Sequence, residues 1–244
     1  AFVHYLDLGL HFDAFDKFVR ETNPNRDTKA LYSGIALGEP LAKEGHIEDW
    51  LKVGQMIIVQ ITKEPTSTKG SRLSAEISLA GRNIVLLPFA DKVSVSQKIT
   101  SKEEKRRLEA LVKSILPVNY GAIIRTAAEG KNAAVLVSEV RSLISKWEGS
   151  WKTISRSKGI GLLFTEFSKT TTMLRDLLND SFTNVIVNDE KVYEETRAYI
   201  SEISPEQEKI VKLYDGKEPI FDHFEVTRQI KSSFGKIVPM KQGA

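Results

Sequence analysis

An arginine and a threonine stand next to each other where a short apolar run of this sequence ends. The run is Gly121 to Ile124, and Arg125 and Thr126 follow it directly. A planar, permanently charged guanidinium matches the oxygens of a phosphate, and a hydroxyl adds a neutral donor. The pair could therefore hold a terminal phosphate. The alternative is that Arg125 ends a strand and pairs with a nearby carboxylate.

The flanking patterns predict the elements that would position this pair. The β-branched run before Arg125 is typical of a buried strand, and a helix is expected to begin near Lys131 with its N–H groups toward an anion. A second buried strand is predicted over Asn83 to Pro88, and a crossover would place it beside the Arg125 strand. Strand and helix patterns alternate here, which predicts an α/β unit.

Further helices are predicted around these strands. Ser101 precedes Glu104 by three residues as a capping box, and Pro117 would end that helix. After the Arg125 strand, an apolar stripe with two tryptophans repeats at helical spacing and predicts a long helix with a buried face. One more helix is expected to present an apolar face from Phe164 to Leu178.

The first eighty residues suggest a second surface. Strands are predicted over Phe2 to Leu6, Met56 to Ile61 and Leu73 to Leu79, the last by strict alternation of apolar and polar residues. Residues 11–50 lack a clean period and predict an irregular excursion with helical fragments. Between the last two strands lies a polar, basic loop with a glycine, an arrangement by which OB-type barrels present a nucleic-acid face.

Three residues of this region are candidates for contact with nucleic acid. Phe2 could stack on a base, while Lys69 and Arg72 could meet phosphates. A lone phenylalanine is more often part of a core, and a basic hairpin is more often simply solvated. Both alternatives stay open on sequence grounds.

The last third predicts another small α/β region. A strand is expected over Thr183 to Val187, and Asp189 would cap the following helix. Ser204-Pro-Glu-Gln is a capping box with proline at the first helical position, which predicts a helix start. A final strand is predicted over Lys236 to Val238.

Composition narrows the classes of function. The 244 residues carry 35 Lys and Arg against 32 Asp and Glu, so a local basic patch is allowed but not required. There are no cysteines, which excludes disulfides and thiolate metal sites. No apolar run is long enough to span a bilayer. The acidic residues and the four histidines form no metal motif, so the chain is expected not to be catalytic by itself.

The segment Arg-Thr-Ala-x-Glu-Gly after a strand resembles the sensor region of the ribonuclease E/G family of bacterial RNA-processing endonucleases. Other stretches match that family in the same order, and they cover nearly the whole chain: Ala1 to Val3, Lys63 to Arg72, Ile77 to Gly81, Ser94 to Ile99, Ile210 to Tyr214 and Pro219 to Asp222. Some members carry two consecutive basic residues where this chain has Gln97-Lys98. In this respect the chain looks more like the ribonuclease G branch.

The resemblance implies roles for particular residues. Phe2 and Lys69 match residues that contact RNA. The backbone around Gly81 and Val85 would receive the terminal nucleotide. The 5′ phosphate would be held by Arg125 and Thr126, with Lys98 as an additional contact.

The resemblance also implies a division into three parts. Residues 1–80 would be a partial OB-fold RNA-binding domain with an irregular insertion, residues 81–181 an α/β 5′-sensor subdomain, and residues 182–244 a partial ribonuclease-H-like subdomain. The first barrel strands and the DNase-I-like catalytic module, whose aspartates hold magnesium, are expected to lie outside this chain. The expected partners are single-stranded RNA with a 5′ monophosphate, that catalytic module and another copy of the chain, in the cytoplasm and away from membranes.

Two functions are compatible with these features. The first is the RNA-binding and 5′-monophosphate-sensing part of a single-strand-specific endoribonuclease. The second is a non-catalytic scaffold or assembly module that binds protein through its basic hairpin.

Overall fold

The computed structural model describes residues 1–156, 159–165, 168–179 and 181–235 of the chain. The chain divides into two compact units, Ala1–Glu166 and Phe167–Ala244. Both mix helices and strands, as predicted. The finer division into three parts stays a prediction.

The first part of unit 1 contains a small open sheet and two helices. The elements are β1 (Phe2–Val3), a 3₁₀ helix (Tyr5–Leu8), α1 (Phe12–Glu21), α2 (Thr28–Gly34), a 3₁₀ helix (Ile47–Asp49), β2 (Gln60–Lys63) and β3 (Arg72–Ser74). The sheet order is β1-β3-β2, with β1 parallel and β2 antiparallel to β3. Within the described ranges this sheet does not close into a barrel.

Each of the three strands predicted here is shorter than expected. β1 ends at Val3 because His4 caps the 3₁₀ helix, where its ring accepts from the Leu6 N–H at 3.3 Å. The strand predicted from Met56 begins only at Gln60, since its partner β3 has just three residues. The strand predicted over residues 73–79 is interrupted, because the Ser74 hydroxyl accepts from the Glu76 N–H at 3.0 Å in a local turn. The residues before and after this turn belong to two different sheets.

The second part of unit 1 is a four-stranded sheet with helices against one face. Its elements are β4 (Leu79–Ala80), β5 (Ile84–Pro88), β6 (Val93–Val95), α3 (Lys102–Ile115), β7 (Tyr120–Ile124), a 3₁₀ helix (Thr126–Ala128) and α4 (Ala133–Arg156). The order is β4-β5-β7-β6. β5 lies beside β7, as predicted, but the predicted crossover between them is wrong, because the two strands are antiparallel. The crossover, through α3, joins the parallel strands β6 and β7 instead.

Most helix predictions in this part are confirmed. The Ser101 hydroxyl accepts from the Glu104 N–H at 3.2 Å, and α3 ends two residues before Pro117. The apolar stripe of α4, including Trp147 and Trp151, is buried. The helix predicted over residues 164–178 is shorter: Phe164 packs against the core of unit 1, and Phe167 lies outside the described residues.

The excursion over residues 11–50 is part of the main core. The ring of Phe18 on α1 lies 5.4 Å from that of Tyr32 on α2, 5.3 Å from Phe89 and 5.5 Å from Trp151. The Tyr32 hydroxyl donates to the Asn119 carbonyl at 2.8 Å, and burial raises the pKa of Tyr32. The excursion is therefore anchored at the start of β7.

Unit 2 has a two-stranded parallel sheet and a small core of its own. Its elements are α5 (Lys169–Leu177), β8 (Val185–Val187), α6 (Glu190–Ile203), a 3₁₀ helix (Pro205–Ile210), β9 (Val211–Leu213), α7 (Ile220–His223) and α8 (Val226–Ser233). Asp189 caps α6 as predicted, with its carboxylate accepting from the Val192 N–H at 2.9 Å.

The capping box predicted at Ser204 is wrong. Its hydroxyl donates to the Glu206 carboxylate at 2.5 Å and makes no cap, and only a 3₁₀ helix follows because the chain enters β9 at Val211. The strand predicted over residues 236–238 lies outside the described residues.

Candidate nucleic-acid interface

Arg125 lies directly after β7 and is attached to the turn between β4 and β5. Its backbone N–H donates to the Asn83 carbonyl at 2.7 Å, and its Nη1 donates to the Gly81 carbonyl at 3.0 Å. The structure thus brings Arg125 and Gly81 together as predicted, although the two residues are 44 apart in sequence. The half-buried guanidinium has a defined orientation as a result.

A tight turn explains the glycine at position 81. The Gly81 N–H donates to the Ile84 carbonyl at 2.8 Å, which closes a two-residue hairpin. A Cβ at Gly81 would overlap the carboxylate of Glu139 on α4 and approach the Ile84 oxygen to 2.8 Å. The carboxylate also accepts from the Asn83 N–H at 2.9 Å and from its Nδ2 at 2.8 Å. No side chain fits at position 81 without moving this turn.

Thr126 lies beside a second hydroxyl that no sequence pattern indicated, that of Ser96. Its Oγ1 is 2.9 Å from the Oγ of Ser96, whose N–H donates to the Ile124 carbonyl at 2.8 Å. The Lys98 N–H donates to the Ser96 hydroxyl at 3.4 Å, and the Lys98 side chain is exposed. The register of β6 and β7 would have indicated Ser96. Val95 pairs with Ile124, so Ser96 leaves β6 at the same edge of the sheet at which Arg125 and Thr126 leave β7.

The loop after Thr126 is held by α3. Glu104 accepts from the Gly130 N–H at 2.9 Å, and Arg107 donates to the Lys131 carbonyl at 3.0 Å. Hydrogen bonds from Arg107 and then from Gly130 lower the pKa of Glu104 to about 2, so this carboxylate is ionised at neutral pH. The predicted helix begins at Ala133, close to the expected Lys131, but a short 3₁₀ helix comes between it and Arg125. We call Gly81, Asn83, Ser96, Arg125 and Thr126 the Arg125 corner.

An apolar row crosses the sheet face next to the Arg125 corner. Pairing aligns Ala80 with Val85, Val85 with Ile123, and Ile123 with Ser94. Val85 is half-buried and Ile123 is 40% exposed, whereas the residues on either side of Ile123 are buried. Ile123 was predicted to lie inside a buried strand, but this strand is covered on one face only. Its exposed side chain forms an apolar surface together with its partner Val85.

The three residues of the second predicted surface lie close to one another. Phe2 pairs in register with Arg72, and its N–H donates to the Ser71 carbonyl at 2.9 Å. Lys69 is exposed at the base of a tight turn in which it pairs with Thr66. Phe2 is 51% exposed in this chain, so it is not part of the core that the structure describes.

Arg72 makes a contact that the sequence did not indicate. Its Nε donates to Asp7 Oδ2 at 3.0 Å and its Nη2 to Oδ1 at 2.7 Å. The hydrogen bond with Arg72 lowers the pKa of Asp7 and raises that of Arg72. This two-point pair joins the 3₁₀ helix to β3 and occupies one edge of the guanidinium. Lys69 is therefore the better candidate for a phosphate contact on this surface.

Metal ligands or membrane-spanning helices would indicate other classes of function. In the described ranges, no three His, Cys, Asp or Glu side chains are grouped so that they could hold a metal ion. No helix of that part of the chain is long and apolar enough to cross a membrane.

Comparisons with known proteins identify the family of the chain. Residues 78–244 match the model of the ribonuclease E/G family. Ribonuclease G of Escherichia coli (strain K12) is 34% identical over 197 residues, which are 81% of this chain and 40% of that protein. Ribonuclease G of Haemophilus influenzae is 33% identical over the same shares. Ribonuclease E of Escherichia coli (strain K12) is 32% identical over 200 residues, 81% of this chain and 19% of that protein.

The chain thus spans about 40% of the length of the ribonuclease G relatives that it matches. The family model covers well over half of the chain and includes the whole of the Arg125 corner. This chain belongs to the ribonuclease E/G family.

Proposed function

We propose that this chain is the RNA-binding and 5′-monophosphate-sensing part of a cytoplasmic, single-strand-specific endoribonuclease, and that it does not cleave RNA alone. The observation that carries the proposal is the Arg125 corner. There the Gly81 carbonyl accepts from the Arg125 guanidinium and the Asn83 carbonyl accepts from the Arg125 backbone N–H. Next to Arg125, the Thr126 hydroxyl pairs with the hydroxyl of Ser96 from the end of the neighbouring strand β6.

The corner has the chemistry to bind a terminal phosphate. A fixed guanidinium offers charged donors to an anion without first losing side-chain freedom. In the Ser96–Thr126 pair, one hydroxyl donates its proton to the other. The accepting hydroxyl keeps its own proton, which it can donate to a phosphate oxygen. The exposed Lys98 adds charge nearby, where the family resemblance expects an additional contact.

The apolar row would accept the base of the same nucleotide. Val85 and Ile123 lie on the uncovered sheet face, one strand apart and paired in register. The β7 chain that carries Ile123 leads within two residues to Arg125, so one nucleotide could meet both features. An apolar surface tolerates every base, which suits a sensor of RNA ends rather than of sequence.

The surface with Phe2 and Lys69 would hold the RNA away from its end. An exposed ring beside a lysine is the combination that single-stranded nucleic acid needs. We propose that residues 1–80 are part of an OB-fold and residues 182–244 part of a ribonuclease-H-like subdomain. The magnesium-binding aspartates would belong to a separate catalytic module, so no step proposed for this chain involves the metal.

The test is a pair of binding titrations with the 244-residue chain. One single-stranded oligonucleotide is prepared with a 5′ monophosphate and with a 5′ hydroxyl, and fluorescence anisotropy gives both dissociation constants across a range of salt concentrations. We expect tighter binding of the phosphorylated end and affinity that falls steeply with salt. Equal affinity for both ends would contradict sensing, and salt-insensitive binding to a protein in place of RNA would favour the scaffold function.

Two variants test the second surface separately. Phe2→Ala should weaken RNA binding by about 1–3 kcal/mol through lost base stacking. Lys69→Ala should reduce the slope of log K against log salt by roughly 0.7–1, as one phosphate contact is lost. Glu64→Gln is a control in the same loop that removes an acid instead of a base, and it should not reduce the slope. Unchanged titrations for both Phe2→Ala and Lys69→Ala would remove this surface from the interface.

A further inference from the structure

We propose that Glu139 on α4 is the positioning residue of the Arg125 corner, and that it sets the preference for a phosphorylated 5′ end without contacting the RNA. The inference rests on the proposed function of the corner. It adds a residue of the long helix, whose pattern on sequence grounds indicated only core packing.

The carboxylate of Glu139 holds the β4–β5 turn from two directions. Oε1 accepts from the Asn83 backbone N–H at 2.9 Å, and Oε2 accepts from the Asn83 side-chain Nδ2 at 2.8 Å. The same carboxylate fills the space where any residue other than glycine would place its Cβ at position 81. Asn83 is buried and Glu139 is half-buried, so both groups are partly removed from water. Hydrogen bonds of this charged kind are stronger than neutral ones.

The β4–β5 turn also holds Arg125. The Asn83 carbonyl accepts the Arg125 N–H at 2.7 Å, and the Gly81 carbonyl accepts Nη1 at 3.0 Å. Glu139 therefore contacts the same two residues, Gly81 and Asn83, whose carbonyls accept from Arg125. A change in the turn would therefore shift the guanidinium, and a misplaced donor loses most of its hydrogen-bond strength.

Glu139 acts through the turn because its charge would oppose a direct role. A carboxylate that faced a phosphate would repel it, but the two oxygens of Glu139 accept hydrogen bonds from Asn83. Its place on α4 explains how it reaches the turn. Leu136, Val140 and Leu143 are buried, so Glu139 lies at the edge of the helix face that packs on the sheet.

Exchanging the carboxylate of Glu139 with the amide of Asn83 tests the proposal. Asn83→Asp places a second carboxylate against Glu139, and we expect the preference for 5′-monophosphate over 5′-hydroxyl RNA to fall about fivefold or more. Adding Glu139→Gln to Asn83→Asp should restore the preference, because the introduced glutamine amide can accept from the backbone N–H of position 83 and donate to the new carboxylate.

Single substitutions at position 139 complete the set. Glu139→Gln alone should have little effect. The Oδ1 of Asn83 lacks a hydrogen-bond partner among the described residues. If the Asn83 amide flips, this oxygen can accept a hydrogen bond from the NH₂ group of the introduced glutamine. Glu139→Ala should lose the preference. Glu148→Gln is the matched control, since this acid lies on the same helix nine residues further along, where burial and, in addition, its charge raise the pKa values of Tyr32 and Tyr120, and it should leave the preference unchanged.

The ratio of the two dissociation constants is the readout, since general damage to the fold would weaken both RNAs alike. The proposal is overturned if Asn83→Asp keeps the preference, or if the double variant does not regain it. Should Asn83→Asp fail to fold, a double variant that folds and prefers the phosphorylated end supports the proposal, and any other behaviour of the double variant overturns it. If the unchanged chain lacks the preference, the proposed function itself fails, which is a distinguishable result.

Discussion

Arg125→Ala is expected to reduce the preference for 5′-monophosphate over 5′-hydroxyl RNA about tenfold or more. A hydrogen bond from a charged donor contributes roughly 1.5–3 kcal/mol, and 1.4 kcal/mol corresponds to a factor of ten. Only the phosphorylated end would meet the guanidinium, so binding of the 5′-hydroxyl RNA should change little. Anisotropy titrations with one oligonucleotide carrying either end measure both quantities.

Arg125→Lys separates the charge of this residue from its shape. An ammonium keeps the charge but cannot bind the Gly81 carbonyl and a phosphate in the same planar arrangement, so we expect only part of the preference to return. Lys152→Ala is a control for the loss of one positive charge. Lys152 lies near the C-terminal end of α4 and is not one of the residues of the Arg125 corner. If Arg125→Ala weakens both RNAs equally, Arg125 is a general electrostatic contact or a structural residue, and the sensing role is wrong.

Phe18→Ala is expected to destabilise the chain by about 3–5 kcal/mol, the usual cost of removing a fully buried phenylalanine. Its ring is 0% exposed and lies within 5.5 Å of the rings of Tyr32, Phe89 and Trp151. The cavity would open where α1 meets the sheet and α4. Urea unfolding followed by tryptophan fluorescence measures the loss, because Trp151 is one of the neighbours.

Phe2→Ala is the matched control for stability. The same change at a side chain that is 51% exposed should cost far less than the change at Phe18. If Phe18→Ala lowers the free energy of unfolding by less than about 1 kcal/mol, the excursion over residues 11–50 is not packed as described.

The sequence predicted the elements whose periodic patterns are strong. β5, β7, α3 and α4 lie where their apolar periods and caps placed them, and β5 is beside β7. These elements bring Gly81 and Arg125 together, and the role of Arg125 was indicated by its own pattern, whereas that of Gly81 came only from the family resemblance. On the second surface, Phe2 pairs with Arg72, and Gly70, the neighbour of Lys69, lies against Ala1.

The features that were missed depend on partners distant in sequence. Ser96 meets Thr126 only through the register of two parallel strands, and Glu139 meets Asn83 across 56 residues. Arg72 forms its ion pair with Asp7, 65 residues away, and no local pattern marks that pairing. Local apolar runs also overestimated strand length, as at Met56, because a strand extends only as far as a neighbour pairs with it.

The crossover between β6 and β7 has a consequence for thermodynamics. The Arg125 corner takes Gly81 and Asn83 from a hairpin, Ser96 from the end of β6, and Arg125 and Thr126 from the end of β7, so it exists only while all three are assembled. A ligand that binds this corner binds the folded state alone. At a concentration one hundred times its dissociation constant, it would add about 2.7 kcal/mol to the folded state. RNA ends would then act as ligands that stabilise the fold, and bound RNA would suppress local opening of the strands that are proposed to recognise it.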